Sequence, residues 1–415
     1  MNKSRYIKKC RLCSSKKLHE VINFGKVPLG NNLSKSKLQS NKSSNYQLKL
    51  IQCKKCRHFQ LNYEVSPKEL YATNYTYLSG VGISFVSHFK NYQAWIEKKC
   101  NLKKNCLVLD VGSNDGTCLK FFKNKGFKVL GVDPALLPSK LANKNGIKTI
   151  NAFFNDDCTN TIMKKYGHVD FITSHNVLAH IGDIQNVFNN IFFLLKDNGY
   201  FCFEIGYFLS VLKNNLFDTI YHEHLDYYHA SPLVKYLNSI GFSVVNLSTN
   251  LTQGGTLRVL CVKNKNSKIY YQPKIFLKKE KQSIINNKKF LQSWPTKINK
   301  NIDSFSKIIK DEISNNKIVY GYGAPTKATL IIKMAHLRKM SIKNIIEDNP
   351  LKVNKYLPKT DIKIIKFDKI TLNEPDVIII FAWNFFSDII KKIKKVRSKP
   401  LKIIIPLPKV KIIEL

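Results

Sequence analysis

Strand-like and helix-like segments alternate along the middle of the chain, and this alternation constrains the fold more than any other feature. Short apolar runs such as CLVLDV, KVLGVD, HVDFITSH and YFCFEIG lie between residues 105 and 264, and helix-length stretches such as IQNVFNNIFFLLKDNG separate them. Strands that alternate with helices pair in parallel, and the helices cover both faces of the sheet. The alternation therefore predicts a doubly wound α/β fold, whose ligands bind at the carboxyl ends of the strands.

The length of the chain predicts more than one domain, because 415 residues exceed what one hydrophobic core supports. Residues 1–66 are rich in Cys, Gly, Asn and Ser and predict a small, loop-rich unit. Residues 67–265 predict the first α/β domain, with a helical lead-in over 67–104. A second strand–helix series predicts a Rossmann-like α/β lobe over 266–415.

A glycine turn follows the first strand of the central series. Gly112 and Gly116 lie between strand and helix, where glycine lets the backbone approach a ligand, and Asn114 lies between them. Asp133 ends the next strand and suits the ribose hydroxyls of a nucleoside. A carboxylate at Asp110, just before the turn, would repel a pyrophosphate but attract a cationic amino acid group. The combination favours S-adenosylmethionine over a dinucleotide.

Two CxxC pairs lie in the first unit. Their cysteines are Cys10, Cys13, Cys53 and Cys56. Each pair places two thiolates on one tight turn, and four thiolates suit tetrahedral zinc with no open position. We therefore predict a structural zinc site, with accidental spacing or redox activity as alternatives. His19 and His58 lie nearby as substitute ligands.

The charge balance is strongly basic, with 68 Lys plus Arg, 28 Asp plus Glu and a formal net charge of +40. The lysines are scattered through every segment rather than gathered in one stripe, so we expect no nucleic-acid partner. The apolar runs are too short to cross a bilayer and no secretory signal is visible. We expect a cytoplasmic protein without membrane contact, and a monomer because the chain has two α/β lobes of its own.

Polar residues cluster after the strand HVDFITSH and in the stretch FDTIYHEHLDYY. A core strand would not tolerate the polar density of the second stretch without partners, so we interpret it as a loop that lines a cleft. Clustered titratable groups at such a place are a candidate catalytic site. Ordinary surface histidines, or a second metal site at His222 and His224, are the alternatives.

These motifs together resemble the zinc-containing, S-adenosylmethionine-dependent sugar C-methyltransferase family. The resemblance covers essentially the whole chain and rests on CRLC, CKKC, NYTYLSG, VLDVGSNDG, SHNVLAHI, FDTIYHEHLDYY, GGTLRV, YGYGAPTKATL and EDNPLKVNKYLP. It implies a class I, Rossmann-like methyltransferase domain between an N-terminal zinc-binding unit and a C-terminal Rossmann-like lobe. Enzymes of this family methylate C3 of a nucleotide-linked 4-keto-deoxyhexose, so the implied partner is a ketosugar carried on dTDP or another nucleoside diphosphate.

The resemblance also implies roles for individual residues. His224 matches the base that removes the C3 proton, with Tyr221 and Glu223 beside it, and His180 matches a histidine near the keto group. One of two tyrosines closes over the sugar, Tyr75 or Tyr77. The candidate cofactor contacts are Asp110, Gly112, Asn114, Gly116, Asp133, His175 and Asn176. The candidate diphosphate contacts on the C-terminal lobe are Gly321, Gly323 and Lys327, for which a plain Rossmann-like turn is the alternative.

Three other functions stay open from the residues alone. An O- or N-methyltransferase would use the same cofactor but would need no acidic C–H bond. A basic zinc-ribbon protein with a degenerate core would bind nucleic acid. An NAD-dependent oxidoreductase would use the GYGAP turn, with Glu347 or Asp348 as the ribose partner.

Overall fold

The computed structural model describes residues 4–71, 78–264, 268–337 and 341–415. These residues form a small N-terminal sheet followed by two larger α/β sheets. One cluster of buried apolar side chains contains members from all three regions, such as Leu50, Phe203 and Ile345. Within the described part of the chain, no helix combines the length and apolar character needed to cross a membrane.

The N-terminal unit consists of short strands around two cysteine turns. Its elements are β1 (Arg5–Tyr6), β2 (Leu18–Pro28), α1 (Lys37–Asn41), β3 (Asn45–Cys53), β4 (Phe59–Leu61), β5 (Tyr63–Glu64) and α2 (Pro67–Tyr71). Strands β2, β3 and β4 pair antiparallel, and β1 pairs antiparallel with β5. The first cysteine turn lies between β1 and β2, and the second lies between β3 and β4.

The central unit alternates strands and helices as predicted. Its elements are α3 (Ile83–Cys100), β6 (Leu107–Val111), α4 (Thr117–Lys123), β7 (Lys128–Val132), α5 (Leu136–Lys144), β8 (Thr149–Ile150), α6 (Asp156–Tyr166), β9 (Val169–His175), α7 (Ile184–Leu194), β10 (Leu195–Gly206), α8 (Phe208–Lys213), β11 (Asp226–Tyr227), α9 (Ala230–Ser239), β12 (Phe242–Asn250) and β13 (Thr256–Lys263). The strands of its sheet are ordered β12-β13-β10-β9-β6-β7-β8. All pairs from β10 to β8 are parallel, whereas β13 is antiparallel to β10 and β12 to β13.

The strand order of the central sheet reverses beside β6. The chain continues from β6 to β7 and β8 on one side and then returns to β9 and β10 on the other. Ligands of doubly wound sheets bind at such a switch point, outside the carboxyl ends of the strands. The loops after β6 and β9 therefore meet at the expected ligand position, and the predicted Rossmann-like methyltransferase domain is confirmed.

The C-terminal unit contains a second sheet of the same kind. Its elements are α10 (Tyr271–Lys281), α11 (Lys288–Ser314), β14 (Val319–Tyr322), α12 (Ala328–Met334), β15 (Asn344–Glu347), β16 (Lys363–Lys366), α13 (Lys369–Asn373), β17 (Val377–Ile380), α14 (Phe386–Val396), β18 (Lys402–Ile405) and β19 (Lys411–Glu414). The order is β16-β15-β14-β17-β18-β19, parallel except for β19. The predicted C-terminal Rossmann-like lobe is thus confirmed, with its own reversal beside β14.

The three predicted domain ranges stay predictions, and the contacts of α10 show why a sharp boundary between the second and the third is hard to place. The prediction assigns α10 to the C-terminal lobe, but the helix bonds to the central unit. Gln272 exchanges two hydrogen bonds with the backbone of Leu247 in β12. Glu280 accepts hydrogen bonds from the backbone N–H groups of Ala230 and Ser231 at the start of α9.

Candidate functional site

The four cysteines of the CxxC pairs converge. Their sulfur atoms all lie within 4.8 Å of one another. Cys10 Sγ lies 3.5 Å from Cys56 Sγ, and Cys13 Sγ lies 3.6 Å from Cys53 Sγ. Tetrahedral zinc with Zn–S bonds of about 2.3 Å separates its sulfurs by about 3.8 Å. The donor set and spacing fit zinc, and four sulfurs leave no position for a reacting water, so the predicted structural site is confirmed.

The glycine loop after β6 is held in a tight, closely packed turn. Gly112 and Gly116 both have φ near +78°, which favours glycine. A Cβ on Gly112 would clash with the side chain of Val177, which belongs to the loop after β9. Asp133 stabilises the turn, because its carboxylate accepts from the N–H of Asn114 at 2.9 Å and from the N–H of Ala135 at 2.8 Å. The two switch-point loops therefore pack directly against each other.

Asp110 is a buried carboxylate at the end of β6. Its Oδ1 has no hydrogen-bond partner among the described residues. Burial, and next the charge of Asp133, raise the pKa of Asp110 to about 8. A carboxyl group held mostly neutral by burial and by an adjacent acid is a good site for a cation. The amino and sulfonium groups of S-adenosylmethionine carry such charge, so the residues present fit this cofactor.

We expect binding of S-adenosylhomocysteine to release about one proton at pH 7, because its ammonium group favours the charged form of Asp110. Isothermal titration in phosphate and in Tris measures this release, since the two buffers have different ionisation enthalpies. Asp110→Asn should bind without releasing the proton. Equal heats in both buffers for the wild type would contradict the assignment of Asp110.

His175 is turned inward rather than toward the glycine loop. Its Nδ1 lies 3.1 Å from Glu204 Oε2, and its Nε2 lies 3.0 Å from Thr173 Oγ1. The residue has a cofactor role in the prediction, but both ring nitrogens are engaged within the protein. Asn176 follows with φ +54° and donates its N–H to the carbonyl of Glu204. The pair therefore shapes the loop after β9, and a direct cofactor contact stays a prediction for both residues.

Glu204 is a site residue that the sequence reasoning missed. Its Oε1 accepts from Arg258 at 2.7 Å and from Asn250 at 3.0 Å, and its Oε2 lies 2.6 Å from His88 Nε2. With His175, these partners come from α3, β9, β12 and β13. The only local signal is a charged residue near the carboxyl end of an otherwise apolar strand, YFCFEIG.

The candidate catalytic histidines lie face to edge. The rings of His180 and His224 are 4.9 Å apart between centroids, at 71°. His224 Nδ1 lies 3.1 Å from the carbonyl of Thr219, so Nδ1 carries the proton in the neutral ring. The hydroxyl of Tyr221 lies 2.9 Å from His224 Nε2 and donates to it. Burial, and next the charge of His180, lower the pKa of His224 to about 3.

Glu223 is buried, His180 is partly buried, and both have shifted pKa values. Burial lowers the pKa of His180 to about 4, so both imidazoles are neutral at neutral pH. Burial raises the pKa of Glu223 to about 7, against the hydrogen bond from Asn31 Nδ2 at 2.7 Å and the charge of Lys352. Asn31 belongs to the N-terminal unit, whose Gly30 lies against the carbonyl of Thr326 so closely that a Cβ would overlap it.

The C-terminal lobe contributes a buried cation to this cluster. Lys327 Nζ lies 3.6 Å from Asp218 Oδ2 and 4.0 Å from the ring centroid of Trp383. Its charge is among the causes that lower the pKa of His224, after burial and His180. Trp383 Nε1 donates to the same Asp218 oxygen at 2.6 Å. The three regions of the chain therefore meet around His180, His224 and Glu223.

The glycine turn of the C-terminal lobe begins later than predicted. Gly321 lies inside β14, where a Cβ would clash with Ile345 and Phe381, so it serves packing between strands rather than a turn. Gly323, with φ +78°, forms the turn itself. The Glu347 carboxylate accepts from the N–H groups of Ala324, Asp348 and Asn349. Of the two acidic residues that an NAD-dependent oxidoreductase would use for the ribose, Glu347 is thus bonded to backbone N–H groups, and Asp348 accepts a hydrogen bond from the hydroxyl of Tyr322 at 3.1 Å.

Tyr75 and Tyr77 lie outside the described residues. The chain that follows them contacts the glycine loop of the central unit. The N–H of Ser79 donates to Asn114 Oδ1 at 2.9 Å, and the N–H of Gly80 donates to Asp115 Oδ2 at 2.8 Å. The choice between the two tyrosines stays a prediction.

Solved structures with similarity to part of the chain include methyltransferases. Magnesium protoporphyrin IX methyltransferase (ChlM) from Synechocystis PCC 6803, with bound SAH, is 16% identical, with a TM-score of 0.35; the match covers 44% of this chain and 88% of that chain. An S-adenosylmethionine-dependent methyltransferase from Clostridium acetobutylicum ATCC 824 is 15% identical, with a TM-score of 0.34; the match covers 43% of this chain and 92% of that chain.

Three family models match the chain in consecutive order. A zinc binding domain matches residues 10–71, a methyltransferase domain matches 86–247, and a C-methyltransferase C-terminal domain matches 251–408. C-methyltransferase NovU from Streptomyces niveus is 28% identical over 410 residues, which cover 99% of this chain and 97% of the relative. Carbon is therefore the atom that receives the methyl group, and the chain is an S-adenosylmethionine-dependent C-methyltransferase with an N-terminal zinc-binding domain.

Proposed function

We propose that this enzyme methylates C3 of a nucleotide-linked 4-keto-deoxyhexose through an enolate. The observation that best supports this is the partly buried pair of His180 and His224, whose rings lie face to edge with centroids 4.9 Å apart. Neutral imidazole is the form that accepts a proton, and His224 offers Nε2 for it because its Nδ1 lies 3.1 Å from the carbonyl of Thr219. A carbon acceptor has no lone pair until its proton is removed, so a base is required before the carbon can attack the methyl group, whereas a hydroxyl oxygen already carries lone pairs.

The proton of C3 passes to Nε2 of His224. The 4-keto group acidifies this proton because the charge left on carbon spreads to the keto oxygen. Nδ1 is excluded as the acceptor, since it donates to the carbonyl of Thr219. Before the sugar binds, the hydroxyl of Tyr221 donates to Nε2 and fixes the orientation of the ring. Because Nε2 has a single lone pair, this hydroxyl turns away from Nε2 when the C3 proton is transferred.

The enolate oxygen needs positive charge or hydrogen-bond donors. Lys327 supplies a buried cation close enough to His224 to contribute to the lowering of its pKa, after burial and His180. The same electrostatic effect that disfavours an imidazolium favours an anion at this place. His180 lies beside His224, with 4.9 Å between their ring centroids, and is the second candidate donor to the keto oxygen.

S-adenosylmethionine supplies the methyl group that the C3 carbanion accepts. We assign Asp110 to the cationic end of the cofactor and Asp133 to its ribose. The glycines of the Gly112–Gly116 loop would let the backbone lie close to the cofactor. The nucleotide diphosphate is assigned to the turn at Gly323. Lys327 follows that turn and pairs with Asp218, and we assign it to the space between the diphosphate and the sugar.

Deuterium exchange tests this function without methyl transfer. With S-adenosylhomocysteine bound in D₂O, a dTDP-linked 4-keto-deoxyhexose should take up solvent deuterium at C3. The control is dTDP-glucose, which has no keto group and should not exchange. Failure of the ketosugar to exchange, although both S-adenosylhomocysteine and dTDP bind by calorimetry, would overturn the proposed carbon acid.

A further inference from the structure

The zinc-binding turns are joined to the loop that carries His224. Strand β11 begins two residues after His224 and pairs antiparallel with β4, which follows the second cysteine turn. The N–H of Leu61 donates to the carbonyl of Leu225 at 2.9 Å. The catalytic loop therefore supplies the edge strand of the N-terminal sheet, whose order is β11-β4-β3-β2.

A buried pair of side chains reinforces this strand pairing. His58, two residues after Cys56, places Nε2 2.7 Å from Asp226 Oδ1, and both side chains are fully buried. Arg11, which lies between Cys10 and Cys13, places Nε 4.0 Å from Asp226 Oδ2. Each cysteine turn thus supplies one residue that contacts the start of β11.

The loop that carries His180 contacts the same turns. Arg11 Nη1 donates to the carbonyl of Gly182 at 2.6 Å. Gln185 Nε2 donates to the carbonyls of Arg11 at 2.9 Å and Leu12 at 3.1 Å. The N–H of Leu225 donates to the carbonyl of Ala179 at 2.7 Å, which joins the two catalytic loops to each other.

We propose that the zinc-bound turns position His180 and His224 for methyl transfer, through Arg11 and through the His58–Asp226 pair. A four-sulfur zinc site fixes the backbone of both turns. The rigid turns hold Arg11 and His58 in place. These two side chains in turn fix the positions of the loops that carry His180 and His224. A displacement of about 1 Å at a catalytic group costs about 100-fold in rate. Arg11, His58 and Asp226 are positioning residues, because they act through the backbone of the loops.

This inference rests on the proposed roles of His180 and His224, and a matched pair of arginines tests it. Arg5 and Arg11 both form ion pairs with Glu64, at 3.2 and 3.3 Å, but Arg5 is half exposed and, among the residues that the structure describes, bonds to neither catalytic loop. Arg11→Gln should lower kcat about 10- to 100-fold. KM, the affinity for S-adenosylhomocysteine and the zinc content should stay within about twofold. Arg5→Gln should match the wild type in all four quantities.

Two results of the kinetic comparison would overturn the inference. One is an equal kcat for Arg11→Gln and Arg5→Gln. The other is a loss of zinc from Arg11→Gln in proportion to the loss of activity, because the arginine would then act only by holding the metal site together.

Hydrogen exchange of the full chain tests the same coupling without substrate, so its outcome does not depend on the proposed reaction. Zinc removal by a chelator, with S-adenosylhomocysteine bound, should expose the amides of Leu61 and Leu225 to exchange. The amides of β6 and β9 should keep their protection. Unchanged exchange at Leu225 would contradict the inference, as would equal loss of protection in β6 and β9.

Discussion

Replacing His224 by asparagine is expected to reduce methyl transfer about 10²- to 10⁴-fold, the range that removal of a general base causes. Asparagine keeps a polar group near Thr219 but cannot accept the C3 proton. The affinity for S-adenosylhomocysteine should change little, because the glycine loop and Asp110 are formed by β6 and the turn after it. Single-turnover kinetics and calorimetry measure the two quantities.

The same substitution at a remote histidine provides the control. His168 immediately precedes β9, at the opposite end of the strand from His175. Its Nδ1 lies 3.4 Å from the carbonyl of Leu194, and its ring lies edge-on to the ring of Phe193. His168→Asn should retain full turnover. A His224→Asn enzyme with wild-type turnover would remove this residue from the role of base, and Glu223, with a pKa of about 7, would be tested next.

Replacing Glu204 by alanine is expected to lower the free energy of unfolding by about 3–5 kcal/mol, the usual cost of breaking a buried ion pair. The substitution leaves Arg258 buried without its carboxylate, and it leaves His88, His175 and Asn250 without a shared acceptor. Chemical denaturation of the zinc-loaded protein measures the change. Glu374→Ala is the matched control, because Glu374 forms an exposed ion pair with Lys343, and it should cost no more than about 1 kcal/mol.

The effect of Glu204 depends on pH in a defined direction. Burial raises the pKa of Glu204, but hydrogen bonds from His175 and His88 and the charge of Arg258 outweigh it and hold the pKa well below its usual value. A carboxyl group of this kind stabilises the fold fully above its unfolded pKa of about 4.3 and loses that contribution as pH falls. Wild type and Glu204→Ala should therefore converge in stability in acid. A difference that stays constant from pH 7 to acid would contradict the charged role.

The sequence predicts the sheets and the ligand loops because their signals are local. Apolar runs that alternate with helical stretches predict both parallel sheets, and Gly112 and Gly116 predict the turn between β6 and α4. The two CxxC pairs predict the zinc site for the same reason, since each pair occupies one turn.

The remaining features depend on residues far apart in the chain. The partners of Glu204 come from four elements, and no local pattern around YFCFEIG indicates them. Strand β11 has two residues, too few for any periodicity, and its pairing with β4 is set by tertiary packing. Gly321 resembles a turn glycine in the sequence. It lies inside β14, where a Cβ would clash with the side chain of Phe381.

The pairing of β11 with β4 also has a consequence for the nascent chain during synthesis. His58 and Asp226 are 168 residues apart, so β11 can pair with β4 only after the ribosome has added that length of chain. At about 5–20 residues per second, synthesis of this length of chain takes roughly 8 to 34 s. During this time β4 is the exposed edge, and its length of three residues offers a poor template for pairing with other chains. The brevity of β4 thus protects the nascent chain from aggregation until its partner strand has been synthesised.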